Sequence, residues 1–119
     1  MKLLIVGSRS IQDFDLSPYI PDDVELIISG GANGVDSLAE EYADQKRISK
    51  QIQRPDYRRY GKKYAPLRRN ERMVELADEV LVIWDGTSKG TAYTVEYAKK
   101  REKPTRLIRT DAEKNAIPS

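Results

Sequence analysis

Cysteine and histidine are both absent from the chain of 119 residues. The lack of cysteine excludes a disulfide framework and a thiolate nucleophile, and it makes a cytoplasmic location the expectation. The lack of histidine excludes a Ser–His triad and, together with the missing cysteine, the usual zinc ligand sets. Any chemistry must therefore come from carboxylates, hydroxyls, amides, basic side chains or the backbone. No required cofactor is expected.

Long hydrophobic runs are lacking as well. No segment approaches the roughly 18 apolar residues of a membrane-spanning helix, so a membrane is not among the expected partners. The first residues, MKLLIVGSRS, turn polar too early for the apolar region of a secretory signal, and we interpret them as a strand. The length predicts a single domain over residues 1–109, followed by a C-terminal tail over residues 110–119.

The net charge is only +2, but positive charge is concentrated in one segment. Between Lys46 and Arg72 there are eleven basic side chains and two acidic ones, a net charge of +9, which leaves −7 for the rest of the chain. A segment with this density of positive charge is where an anionic partner is expected to bind.

Apolar, β-branched runs recur along the chain and predict strands. Most of them do not alternate between polar and apolar residues, and the run from Val80 to Trp84 is apolar at every position. Such runs are typical of central strands in a parallel sheet that helices cover on both sides. Four of the five predicted strands comprise residues 3–6, 24–28, 80–84 and 105–108, and a weaker run predicts the remaining strand at residues 49–53.

Amphipathic segments between the strands predict three helices. Residues 35–46 repeat apolar side chains with helical spacing, and Asn33 and Asp36 are predicted as the N-cap and N3 residues. A second helix is predicted over residues 66–77, with proline as a favoured first-turn residue, and a third over residues 91–102. The alternation of strands and helices predicts a single Rossmann-like, doubly wound α/β domain. Its five-stranded parallel sheet should have the order 3-2-1-4-5, with helices on both faces.

Three loops rich in glycine and hydroxyl groups follow the first, second and fourth predicted strands, at residues 7–10, 30–34 and 85–91. In a sheet of this order, ligands bind at the carboxyl ends of the first and fourth strands, where the strand order reverses. Glycine permits close approach of the backbone, and a helix N-terminus favours an anion. With Arg9 and Lys89 in two of the loops, we predict a site for a phosphate or carboxylate. The alternative is that the glycines only form tight turns.

Asn70 lies in the middle of the apolar stripe of the second predicted helix, which comprises Leu67, Met73, Val74 and Ala77. A polar group on that stripe needs a hydrogen-bond partner. Asn70 is predicted either to hold the loops or the ligand at the site, or to bond a neighbouring loop carbonyl.

Three segments carry a recognisable pattern: GSR at residues 7–9, SGGANGVDSLAEEYA at residues 29–43, and RRNERMVELADEVLVIWDGTSKGTAYTVEYA at residues 68–98. In this order they resemble the SLOG superfamily of Rossmann-like domains, which includes the SMF/DprA DNA-processing proteins and the LOG enzymes. The resemblance covers residues 3–108, is closest to small stand-alone members, and implies a nucleotide-binding domain. The ligand-binding residues that it implies are Gly7, Ser8, Arg9, Gly30, Gly31, Gly34, Asp36, Arg69, Asn70, Ser88, Gly90 and Thr91.

Members of the two named branches differ in activity. DprA relatives bind single-stranded DNA, and LOG relatives cleave the N-glycosidic bond of nucleoside monophosphates. The LOG motif P-G-G-x-G-T-x-x-E corresponds here to residues 86–94, which lack the proline, the first two glycines and the glutamate. Thr94 stands at the glutamate position, so catalysis is not expected. If the chain is an enzyme, its candidate acids or bases are Asp36, Asp85 and Glu96.

Residues 54–72 read RPDYRRYGKKYAPLRRNER and interleave tyrosines with cations. Cations neutralise phosphates, and tyrosine rings stack on unpaired bases, so this segment is a candidate contact for single-stranded nucleic acid. The candidate residues are Tyr57, Arg58, Arg59, Tyr60, Lys62 and Lys63. The alternative is a solvated loop whose tyrosines pack locally.

The sequence therefore supports three functions. The first is a binding or sensing domain for a nucleotide or a nucleotide-derived phosphate. The second is single-stranded nucleic-acid binding in the DprA manner, and the third is a LOG-like nucleotide N-glycosidase. The expected partner is a nucleotide-like small molecule, with single-stranded nucleic acid and a second copy of the chain left open as further partners.

Overall fold

A five-stranded parallel sheet forms the centre of the protein in the computed structural model, which describes residues 1–111. The strands are β1 (Lys2–Gly7), β2 (Leu26–Ser29), β3 (Ser49–Ile52), β4 (Glu79–Trp84) and β5 (Thr105–Arg109). They lie in the order β3-β2-β1-β4-β5, and every neighbouring pair is parallel. The predicted strands, strand order and doubly wound α/β architecture are confirmed.

β1 lies in the middle of the sheet, where Leu4 pairs with Ile28 of β2 and with Val80 of β4. Because side chains alternate along a strand, Ile5 faces one side of the sheet and Leu4 the other. Both side chains are fully buried, because a hydrophobic core lies on each side of the sheet. The two cores explain why the inner strands β1, β2 and β4 are apolar without alternation.

Three helices cover the two faces of the sheet: α1 (Val35–Lys46), α2 (Tyr57–Leu76) and α3 (Lys89–Lys100). α1 packs on the face that contains Ile5, together with residues around a short 3-10 turn (Ser17–Tyr19). α2 and α3 pack side by side on the face that contains Leu4. Helices therefore lie on both faces, as predicted.

The second helix begins earlier than predicted, at Tyr57 rather than at Pro66. The Asp56 side chain caps this start by accepting a hydrogen bond from the Arg59 N–H at 3.1 Å. Gly61 then interrupts the helix with a φ of 76° and a ψ of 174°, a conformation that suits glycine. Pro66 therefore lies close to the start of the second part of α2, where a missing N–H interrupts few helical hydrogen bonds. Residues 57–72 of the basic stretch therefore lie in α2, so the alternative of a solvated loop is wrong for these residues.

The predicted cap of α1 was also wrong. The N-cap residue is Gly34, which has no side chain to offer, and not Asn33. Asp36 is the second helical residue rather than the third, and its carboxylate accepts a hydrogen bond from the Ala32 N–H at 3.1 Å. Asp36 therefore forms a hydrogen bond with the preceding loop instead of forming a capping box.

The end of the domain is anchored on the sheet. The Thr110 N–H donates to the Trp84 carbonyl at 2.9 Å, so the first residue of the predicted tail is bonded to β4. The rest of that tail, residues 112–119, lies outside the described residues. Among residues 1–111, no helix is both long and apolar enough to cross a membrane.

Candidate functional site

The loops after β1, β2 and β4 converge on a cleft of about 420 Å³ at the carboxyl ends of β1 and β4, which we call the switch-point cleft. Strand order reverses here, as it does at the ligand sites of other doubly wound domains. Eight of the predicted ligand-binding residues line this cleft: Gly7, Arg9, Asp36, Arg69, Asn70, Ser88, Gly90 and Thr91. The structure thus brings together residues from both halves of the chain.

A second cleft of about 410 Å³ adjoins the first, and we call it the tyrosine cleft. The two clefts share Arg9, Ala32 and Arg69, which form the boundary between them. The predicted residues Gly30 and Gly31 line the tyrosine cleft rather than the switch-point cleft. The two clefts together form one groove along the carboxyl edge of the sheet.

Sequence reasoning missed several wall residues. Arg54 and Pro55 line the tyrosine cleft, and Ser10 lines the switch-point cleft. Ser10 and Arg54 lay within segments that were singled out, the first glycine-rich loop and the basic stretch. The parallel pairing of β2 with β3 brings Arg54, which follows β3, to the same edge as the loop after β2.

Three of the predicted ligand-binding residues line neither cleft in the described part of the chain: Ser8, Gly34 and Lys89. The buried Ser8 hydroxyl accepts a hydrogen bond from the Asp85 N–H at 2.9 Å and so joins two loops. A Cβ at Gly34 would lie 2.4 Å from the Ser8 carbonyl oxygen, so glycine is needed for the loops to touch. Lys89 is exposed at the start of α3.

Asp85 holds the loops after β1 and β4 in place. Its Oδ1 accepts hydrogen bonds from the Thr87 N–H, the Thr87 hydroxyl and the Ser88 N–H at 2.9–3.1 Å. Its Oδ2 accepts from the Ser10 hydroxyl at 2.7 Å. These donors, the Thr87 N–H foremost, hold the pKa of the Asp85 carboxyl far below its usual range. Asp85 is therefore charged at neutral pH and is a poor proton acceptor.

Asp36 has the opposite electrostatic character. Only 6% of the residue is exposed, and burial raises the pKa of its carboxyl, although the Ala32 N–H and the nearby Arg69 and Arg9 favour the charged form. One carboxylate oxygen, Oδ1, has no hydrogen-bond partner within residues 1–111. Of the three candidate acids or bases, Asp36 is the one that both lines the cleft and has a raised pKa.

Arg69 links α2 to the loop after β2. Its Nη1 donates to the Gly30 carbonyl at 2.7 Å, and its Nε donates to the Asn70 Oδ1 at 2.8 Å. A Cβ at Gly30 would lie 2.7 Å from the same Nη1, so glycine leaves room for the guanidinium. Much of the hydrogen-bonding capacity of Arg69 is therefore used within the protein.

Asn70 is buried and lines the switch-point cleft, and its partner is the neighbouring Arg69 rather than a loop carbonyl. Met73, Val74 and Ala77 of the predicted apolar stripe are buried, and Leu67 is partly buried. Asn70 is therefore linked to the loop after β2 through Arg69.

Backbone N–H groups in the loop after β2 and at the start of α1 were expected to face an anion, but most of them are hydrogen-bonded within the protein. The Gly31 N–H donates to the Ser29 hydroxyl at 3.3 Å, the Ala32 N–H donates to Asp36, and the Val35 N–H donates to the Ser8 carbonyl at 3.3 Å. The backbone donors of this loop are therefore largely used within the protein.

The start of α3 contributes hydroxyl groups to the switch-point cleft. Ser88 Oγ and Thr91 Oγ1 lie 3.1 Å apart, and Thr91 is buried against the cleft wall. The Trp84 indole N–H donates to the Ser88 carbonyl at 3.0 Å and fixes the turn that leads into α3. Two hydroxyls and the positive end of a helix dipole therefore face the same cleft.

Glu96, the third candidate acid or base, is exposed on α3 with its Oε1 4.0 Å from Lys99 Nζ, and it lines neither cleft. Nor do residues 1–111 contain a group of three or more acidic side chains that could hold a metal ion.

Four basic residues of α2, two on each side of Gly61, are exposed. Arg58, Arg59, Lys62 and Lys63 all face solvent. The Arg59 guanidinium lies 5.3 Å from the centre of the Tyr60 ring, and the Lys63 ammonium lies 5.5 Å from that of Tyr64. The cations and tyrosine rings of the predicted nucleic-acid contact thus belong to α2.

The fold and the groove define the class of the protein as a Rossmann-like α/β domain with a polar cleft at its topological switch point. Comparison of the chain with protein-family models, with curated proteins and with solved structures finds no match. The resemblance to the SLOG superfamily therefore remains a prediction from the three motifs.

Proposed function

We propose that the protein binds a phosphate-bearing ligand of the nucleotide type in the switch-point cleft. The observation that supports this most strongly is the convergence of three loops, distant in sequence, on one cleft at the carboxyl ends of β1 and β4. Doubly wound domains bind their ligands at this position. The volume of about 420 Å³ is in the range of small-molecule sites.

The donors around the cleft suit phosphate oxygens. Arg9 is exposed and offers a planar fork of N–H donors to an oxyanion. Ser88 and Thr91 add hydroxyls at the N-terminus of α3, whose partial positive charge favours an anion. We assign the phosphate to this group of residues, with Arg9 as its main cationic partner.

The motif resemblance to SLOG domains supports the same ligand class, a nucleotide or a nucleotide-derived phosphate. The proposal concerns a binding or sensing role in the cytoplasm and includes neither a resident cofactor nor a reaction. A hydrolase of the LOG kind has little support, because Thr94 is fully buried and its hydroxyl donates to the Gly90 carbonyl at 2.9 Å.

Ligand titration tests the proposal directly. The purified protein is heated with increasing concentrations of AMP, ADP, ATP, ADP-ribose and NAD, and the unfolding temperature is measured. A ligand that binds the folded state raises the unfolding temperature in a concentration-dependent manner. Absence of any rise with all five ligands at millimolar concentrations contradicts the proposal.

Single-stranded nucleic-acid binding is a second candidate function. Residues 57–64 of α2 support it, because four exposed cations and three exposed tyrosines occur together there. Fluorescence anisotropy with a labelled oligothymidylate at low salt tests this function. Binding that weakens steeply as salt is added supports it, and absence of binding at low salt contradicts it.

A further inference from the structure

Tyr57 is exposed at the point where α2 meets the groove. The residue is 52% exposed and lines the tyrosine cleft beside Arg54, Pro55 and Gly31. Its position is set by the Asp56 cap at the start of α2 and by the Gln53 N–H, which donates to the Ser29 carbonyl at 2.8 Å. A large aromatic side chain is thus held, half exposed, at the wall of a cleft.

The other exposed tyrosines of α2 have different surroundings. Tyr60 and Tyr64 each have a cation over the ring, whereas the ring of Tyr57 has none among the described residues. Tyr64 is also 52% exposed but does not line either cleft of the groove formed by residues 1–111. Tyr57 therefore combines a position in the wall of the groove with a ring that no cation of residues 1–111 covers.

We propose that Tyr57 is the base-stacking residue of the site, so that a nucleotide lies with its base in the tyrosine cleft and its phosphate in the switch-point cleft. This inference rests on the proposed function, since it presupposes a phosphate-bearing ligand. The shared boundary residues Arg9 and Arg69 lie between the two subsites. Each cleft exceeds 400 Å³, so each is large enough to hold one part of a nucleotide.

Stacking defines the ligand class but not the base. Every nucleobase has a π face, so a single tyrosine ring favours nucleotides over sugar phosphates without selecting among bases. Arg54 can add a second planar group at the same cleft. The preferred ligands are accordingly nucleoside phosphates as a class, rather than phosphorylated sugars.

Titration calorimetry with AMP and ribose 5-phosphate tests the inference, because these two ligands differ only in the base. Wild-type protein should bind AMP about tenfold more tightly than ribose 5-phosphate. Tyr57→Ala should weaken AMP binding about tenfold while leaving ribose 5-phosphate binding unchanged, and Tyr57→Phe should retain the preference. Tyr57→Leu, which keeps the bulk without the ring, provides a second variant if the alanine variant does not fold.

Tyr64→Ala is the matched control, because Tyr64 has the same exposure on the same helix. Its AMP affinity should equal that of the wild type. Equal affinities of the wild type for AMP and ribose 5-phosphate, or an unchanged preference in both Tyr57→Ala and Tyr57→Leu, overturn the stacking role but leave phosphate binding in place. A similar loss of AMP binding in Tyr64→Ala also overturns it. Failure of both ligands to bind the wild type overturns the proposed function as well.

Discussion

Arg9 and Arg69 line the same cleft but have different surroundings. Arg69 is partly buried and donates to the Gly30 carbonyl and to Asn70, so it holds α2 against the loop after β2. Arg9 is exposed, and its guanidinium makes no hydrogen bond within residues 1–111. Replacement of Arg69 should therefore disturb the structure of the site, and replacement of Arg9 should mainly affect the ligand.

Arg9→Ala should weaken nucleotide binding roughly tenfold or more without lowering the stability of the protein. A hydrogen bond to a charged group contributes about 1.5–3 kcal/mol, and about 1.4 kcal/mol corresponds to a factor of ten in affinity. Calorimetric titration measures the affinity, and thermal unfolding without ligand measures the stability. Arg101→Ala, which removes an exposed arginine at the end of α3, should leave the affinity unchanged. Equal binding by wild type and Arg9→Ala would remove Arg9 from the phosphate site.

Asp85→Ala should lower the free energy of unfolding at neutral pH by about 1–2 kcal/mol, because four donors lose a charged acceptor. The folded-state pKa of Asp85 is lowered, so its stabilisation is fully present above the unfolded-state pKa of about 4. It is lost as the pH falls through the folded-state value. The difference between wild type and variant should therefore shrink below about pH 4.

Denaturant unfolding across this pH range measures the Asp85 effect. Asp44 serves as the comparison, because its exposed carboxylate pairs with Lys50 at 2.9 Å on the surface. Asp44→Ala should change the free energy of unfolding only slightly, as is usual for surface ion pairs. A difference between wild type and Asp85→Ala that stays constant down to pH 2 would exclude the charged carboxylate as its cause.

At the scale of elements, Gly61 divides α2 into two segments with different contacts. The segment before Gly61 carries Tyr57 to the groove, and the segment after it packs Met73 and Val74 into the core. The interruption at Gly61 lets the first segment leave the direction of the second, because this backbone conformation is open to glycine. The break therefore allows one helix to serve both the core and the site.

The exposed cations of α2 are predicted to contact single-stranded nucleic acid. Combined replacement of Arg58, Arg59, Lys62 and Lys63 by alanine should flatten the dependence of single-stranded DNA affinity on salt. Each neutralised phosphate contributes a slope of about −0.7 to log K against log salt, so the slope should fall by up to about 3. Fluorescence anisotropy over a series of salt concentrations gives the slope.

A basic cluster at the end of α3 provides the control for this experiment. Lys99, Lys100 and Arg101 are exposed there, away from both clefts. Their combined replacement by alanine should leave the salt slope unchanged. The same flattening in both variants would mean that net charge, and not the face of α2, governs binding.

At the scale of the whole molecule, no appreciable release of base from nucleoside monophosphates is expected. Of the three candidate carboxylates, Asp85 is held in the charged form and Glu96 lies outside the groove, which leaves Asp36 without a second titratable candidate carboxylate to act beside it. Chromatographic detection of free base from AMP measures this activity. Turnover that disappears in Asp36→Asn or Glu96→Gln would show that the protein is an enzyme.

The amino-acid sequence by itself determined the architecture of the domain. Apolar runs predicted the three inner strands β1, β2 and β4, because a strand covered on both faces must be apolar. The edge strands β3 and β5 are more exposed, and the run that predicted β3 is the weaker one. The alternation of strands with helical patterns then determined the order 3-2-1-4-5, since right-handed crossovers leave few other topologies. The position of the cleft follows from that order, so loops 7–10, 30–34 and 85–91 were identified as its neighbours from local patterns alone.

Only the tertiary structure decided what each residue does in the groove. The Arg69–Gly30 hydrogen bond joins residues 39 positions apart, and the Asp85–Ser10 bond joins residues 75 positions apart. No local pattern encodes such contacts, so the sequence showed neither that the Gly31 N–H is already bonded nor that burial raises the pKa of Asp36. Hydrogen bonding and burial depend on neighbours that packing brings together. For this reason, the hydrogen-bond partners and the burial of each site residue could be read only from the tertiary structure.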